Sequence, residues 1–107
     1  MLDSNKLDDA IAATPAARVT PERIDSVITG QVFHRLTTTL TVCVLTLRNG
    51  FTVTGESACA SPENYDQAIG ERIAFDNARE KVWLLEGYLL REVLSQFETA
   101  IAAIERA

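Results

Sequence analysis

Two runs of alternating side chains, LTVCVLTL and FTVTGESACA, stand on either side of Asn49-Gly50. Alternation with period two is the mark of a strand with two distinct faces. Asn-Gly tolerates the positive φ values of a type I′ turn, whose twist suits a two-residue hairpin. That turn sets Cys43 opposite Glu56 and Val42 opposite Ser57. One face of the hairpin then carries Val42, Val44, Thr46, Phe51, Val53, Ser57 and Cys59, and this is the face expected to be buried. The other carries Thr41, Cys43, Leu45, Leu47, Thr52, Thr54, Glu56 and Ala58. Cys43 and Cys59 fall on opposite faces in this register, which argues against a disulfide between them. Gly55, inside a strand, marks a bulge or a close backbone approach.

Upstream, Thr20-Pro21 is a helix start, because Thr caps and Pro is preorganised at the first helical position. The helix that follows turns Ile24, Val27 and Ile28 inward and stops at Gly30. Gln31 to Leu36 reads as a first strand, and Thr37-Thr38-Thr39 connects it to Leu40. Residues 1–19 read as a loose arm; Asp3 to Ala13, with Leu7 and Ile11, has the spacing of a short helix that Pro15 would end. Residues 20–107 read as one domain.

Beyond the hairpin, Ser61-Pro62-Glu63 and Asn64-Tyr65-Asp66 are two successive helix starts. No strong breaker follows. A continuous helix from Asn64 to Ile104 would run roughly 60 Å at 1.5 Å per residue. A compact chain of this length has a radius of gyration of only about 13 Å. The helix must therefore overhang its domain, break near Gly87 or Ser95, or pack on a partner. Ala74, Ala78, Val82, Leu85, Leu89 and Val93 form one apolar stripe. Trp83, Leu90, Leu94, Phe97, Ile101 and Ile104 form a second, whose later members step as a coiled-coil seam does. One stripe covers the sheet, and the second is assigned to a homodimer interface. The fold expected is α+β: a short helix, a three-stranded antiparallel meander, and a long C-terminal helix packed on the sheet and on a second chain.

Composition narrows the function classes. The chain has 107 residues, 47% hydrophobic and 23% charged, with a net charge of −5. That is a globular composition, and its sign argues against general nucleic-acid binding, which needs a basic footprint. No apolar run reaches the roughly 18 residues of a membrane span. The N-terminus lacks the basic start and apolar block of a signal peptide, so a cytoplasmic protein is expected. One histidine and two separated cysteines make no zinc site, and no phosphate loop or dinucleotide fingerprint is present; no metal and no cofactor is expected.

The segments TLTVCVLTLRNGFTVTGESAC, NYD followed by IG, and KVWLLEGYLL resemble, in that order, a family of small tailed-phage proteins. Its type members are a coliphage gene 49 product and a Shigella phage gene 66 product. The resemblance covers Thr20 to Arg91. It implies a phage or prophage accessory protein at work in the cytoplasm of a bacterial host, and it carries no catalytic residue with it.

Gly55-Glu56-Ser57-Ala58-Cys59 is the most site-like string. With His34 on the neighbouring strand, Glu56 and Cys59 would make a small hydrolase, but Glu56 and Cys59 belong to opposite faces. A strand ending in small residues under the long helix is the plainer reading, and no enzyme is expected. Glu63, Tyr65, Asp66 and Glu71 form an acidic surface at the start of the long helix, suited to a basic host protein. Equally, Asp66 caps that helix while Tyr65 packs as a staple. The lead reading is a non-enzymatic binder of a host protein that inhibits a bacterial defence system such as CRISPR interference. The alternative is a sponge for a nucleotide signal, with a pocket between protomers built from Tyr65, Trp83, Tyr88 and Arg91. Against this, large aromatics in an apolar stripe are most often core.

Overall fold

The computed structural model describes residues 17–106. The short helix expected from residues 3–13 and most of the arm lie outside the described residues. Five principal elements follow one another: α1 (Pro21–Val27), β1 (Ile28–Arg35), β2 (Leu40–Leu47), β3 (Thr52–Ala58) and α2 (Gln67–Arg106). The strands form an antiparallel sheet in the order β1-β2-β3, and α2 crosses one face of it. This is the α+β arrangement the periodicities predict.

Thr20 caps α1, its hydroxyl accepting from Arg23 N at 3.1 Å. The helix ends at Val27 rather than at Gly30. Val27, Ile28 and Thr29 are β-branched and prefer a strand, and the Val27 carbonyl accepts from Arg48 N at 2.8 Å, tying α1 to the hairpin tip. Gly30 instead lies within β1, beside a bulge between Ile28 and Gly30.

The hairpin register differs from the two-residue turn by one position. Leu47 N donates to Phe51 O at 2.8 Å, which leaves Arg48, Asn49 and Gly50 as a three-residue loop. Among the described residues Gly50 alone has a positive φ, at 90°. Asn49 stays on the ordinary side, and its side chain accepts from Phe51 N at 3.0 Å. A turn closed by one left-handed glycine is the standard three-residue solution. Cys43 therefore pairs with Gly55, and Val42 with Glu56.

A one-residue slip between strands changes which residues share a face. Thr41, Cys43, Leu45 and Leu47 of β2 are buried together with Val53 and Gly55 of β3. Val42, Val44 and Thr46, expected inside, lie half-buried on the open face, and Phe51 is exposed. The two cysteines consequently share a parity, and both are free thiols. They are held apart by distance along the strand: Cys43 pairs with Gly55, four residues before Cys59, or about 13 Å.

Gly55 explains why this face is the covered one. A Cβ there would lie 2.2 Å from Ala74 O and 2.2 Å from Ala78 N. The α2 backbone thus rests directly on β3. Its contact ridge is Gly70, Ala74, Ala78 and Val82, all buried at intervals of four. Small residues let helix and sheet approach. Ile24 and Val27 of α1, with Cys43, Leu45, Leu47 and Val53, complete the core, and Phe33, Phe75, Trp83 and Leu85 pack around it.

α2 runs unbroken for 40 residues through Gly87 and Ser95. The strands, of eight, eight and seven residues, span at most about 26 Å. The helix therefore overhangs, and the molecule measures 67 × 34 × 21 Å with a radius of gyration of 18.6 Å. After Leu89 every described residue of α2 is exposed except the half-buried Leu90 and Leu94. No helix among the described residues is long and apolar enough to cross a membrane.

Candidate functional site

Three surfaces carry the residues singled out by the sequence. The first is the connection between β3 and α2. A 3-10 turn at Pro62–Asn64 follows Ser61, so both helix-start signals are real. The Ser61 hydroxyl donates to the Glu63 carboxylate and holds that carboxyl below its usual range, helped by a backbone hydrogen bond. Asp66 caps α2: its Oδ1 accepts from Ile69 N at 3.0 Å. Gln67 donates to Glu71 at 3.0 Å. Tyr65 is held by the body, with the Arg35 guanidinium 3.6 Å from its ring centroid and the Thr41 hydroxyl donating to its oxygen at 3.4 Å. A small hollow of about 130 Å³ here is lined by Ser57, Cys59, Tyr65, Asp66, Ile69 and Ile73, among others.

The second is the open face of the sheet. His34 pairs with Val42, and Val42 with Glu56, so these three form one row. His34 and Glu56 flank Val42 on strands two spacings apart, about 10 Å. Cys59 sits on the helix side, its thiol 3.8 Å from Thr39 O. The three hydrolase candidates are not brought together.

The third surface is where the hairpin tip, α1 and α2 meet. A cleft of about 330 Å³ is lined by Arg23, Arg48, Phe51, Glu86, Tyr88 and Leu89, with Val27, Leu47, Asn49 and Leu85 also in its wall. That volume is at the lower end of small-molecule sites. Arg23 pairs with the mostly buried Glu86 at 3.5 Å. The Arg48 guanidinium has no hydrogen bond or ion pair among the described residues. Counting Arg23, Arg48 and Glu86 leaves one positive charge at the cleft, on a chain whose net charge is −5. Phe51 and Tyr88 are 55% and 70% exposed, so both rings are available for stacking.

Of the aromatic set expected to hold a ligand, Tyr88 alone lines this cleft. Trp83 packs against the core with Arg79 over its ring at 5.9 Å, and Arg91 pairs with Glu98 at 2.8 Å. Arg23, Arg48 and Phe51 are not singled out by the sequence. The signal for two of them is their place on either side of Asn49-Gly50, which puts them at a hairpin tip. Of the second stripe, Trp83, Leu90 and Leu94 are half-buried, whereas Phe97, Ile101 and Ile104 are exposed.

A small α+β protein with one covered sheet face and a cantilevered helix is the class this architecture defines. The chain belongs to the phage protein (N4 Gp49/phage Sf6 gene 66) family, whose family model matches residues 19–94. The match takes in the whole α+β body and ends within the overhang. No curated protein and no solved structure matches the chain.

Proposed function

We propose that this phage protein acts by binding rather than catalysis, and that it captures a nucleotide-type signal of a bacterial defence system within the host. The observation that supports this reading is the cleft at the hairpin tip. It offers what a nucleotide needs: for phosphate, the Arg48 guanidinium, which has no partner among the described residues, and beside it the Glu86-paired guanidinium of Arg23; for a base, the exposed rings of Phe51 and Tyr88. Arginine suits planar, bidentate recognition of phosphate. The test is calorimetry against cyclic dinucleotides and cyclic ADP-ribose-type nucleotides. Binding is expected to weaken at least tenfold in Arg48→Glu and in Tyr88→Ala. No heat with any of these ligands rejects the reading.

A second reading, capture of a basic host protein, is favoured by a different surface. Exposed Ile69 and Ile73 line one hollow with Asp66 at the start of α2, and exposed Glu63 lies in the turn just before it, a mixture of apolar and acidic groups. Inhibition of CRISPR interference belongs to this reading. Charge reversal at Glu63 and Asp66 then removes a host protein that co-purifies with the wild-type chain. Unchanged recovery counts against that surface.

A further inference from the structure

The overhanging part of α2 is apolar over a broad sector, and on one side no described residue covers it. Leu89, Val93, Phe97, Ile101 and Ile104 are 51%, 60%, 64%, 40% and 74% exposed. Spacings of four, four, four and three keep them on one face of the helix. Arg91, Glu92, Ser95, Glu98 and Thr99 lie outside that strip. The strip begins where the sheet stops, since Leu85 is the last residue of α2 packed on the core.

We propose that this strip is covered by the same strip of a second copy, with the two overhangs antiparallel about Phe97. The pattern is self-complementary under that operation. Phe97 meets Phe97 of the second copy at the two-fold axis, Val93 meets Ala100 and Ile101, and Leu89 meets Ile104. A two-fold interface needs this kind of reciprocity, in which one patch is its own complement. Length agrees as well. The overlap, from Tyr88 to Arg106, is the whole overhang, so the two sheet bodies stand at opposite ends and do not collide. Antiparallel helices also set opposite dipole ends side by side.

The area is sufficient. The exposed fractions of the five residues correspond to about 500 Å² per copy, or about 1,000 Å² for the pair, the size at which a specific interface begins. Most of the strip lies beyond residue 94, where the family match ends, so the device belongs to this chain rather than to the family body. The partner's Ile104 end stands beside Leu89, at the mouth of the cleft, and closes its open side. The pairing itself does not depend on what the cleft holds, and Phe97 is not among the residues that line it.

Sedimentation of the full chain at micromolar concentration is expected to give twice the mass of one chain. Phe97→Glu, with unchanged circular dichroism, gives one. Orientation is read by crosslinking in a Cys59→Ser background. Leu89→Cys and Ile104→Cys chains, mixed after exchange, crosslink to each other and not to themselves, and Phe97→Cys crosslinks to itself. Three results would overturn the proposal: a monomer, a Leu89→Cys chain that crosslinks to its own kind, or a monomeric Phe97→Cys chain shielded from thiol reagents by its own residues.

Discussion

Gly55 and Ala78 meet backbone to backbone: a side chain on Gly55 would place its first carbon 2.2 Å from the Ala78 amide nitrogen. The neighbour is main chain, so no rotamer change relieves the clash. Overpacking a core usually costs about 1–3 kcal/mol, and Gly55→Ala is expected at or above the top of that range. A domain of this size loses roughly 4–8 °C of melting temperature per kcal/mol. A drop of less than about 4 °C in a thermal melt would show that helix and sheet can part at little cost.

Gly87 is the opposite case. It sits within α2, a Cβ added there would meet nothing within 4 Å, and its φ is not in the left-handed region. Glycine in a helix interior costs about 0.5–1 kcal/mol relative to alanine. Gly87→Ala is therefore expected to raise the urea midpoint with an unchanged denaturant slope. A lower midpoint would reveal a neighbour at that position.

Asp66 supplies an N-cap to the longest element of the fold through its bond to Ile69 N. Removing such a cap costs typically about 1 kcal/mol. Asp66→Ala is expected to destabilise by that order in chemical denaturation, while Asp66→Asn keeps most of the stability. Equal effects of the two substitutions would mean that the carboxylate charge, and not the cap, matters.

Burial pushes the Cys43 thiol above its ordinary range. An unfolded cysteine ionises at about pH 8.5. Because the folded value is the higher one, the thiol's contribution to stability is complete below that pH and is lost as pH rises through the folded value. The alkaline fall in stability is expected to be steeper in the wild type than in Cys43→Ala. Identical slopes in urea titrations across that window would remove the thiol as the cause. Cys59, half-buried at the strand end, is expected to alkylate well before Cys43 under native conditions.

The element order is legible because the periods are unambiguous. Two alternating runs around Asn49-Gly50 can only be a hairpin, and an apolar stripe from Ala74 to Val93 at spacings of three and four can only be helix. The register is not, because Asn-Gly fits both a two-residue loop with two left-handed residues and a three-residue loop with one. Both faces of β2 are apolar, so hydrophobicity does not arbitrate. Gly55 does: a residue with no side chain, paired with Cys43, marks the face on which something comes close. The caps at Thr20 and Asp66 are readable from local chemistry. The cleft is not, since Arg23, Arg48 and Tyr88 come from three separate parts of the chain and form no motif. Their convergence depends on α1 docking at the hairpin tip through the Arg48–Val27 hydrogen bond and the Asp25–Arg79 and Arg23–Glu86 ion pairs.

The main-chain seat of α2 on β3 also has a mechanical consequence. With its backbone keyed against the strand, the helix has no room to slide or roll as a side-chain interface would allow. Its far end is then a stiff outrigger: from Ala78 to Ile104 it reaches about 39 Å, and whatever grips that tip is held at a set distance and bearing from the sheet.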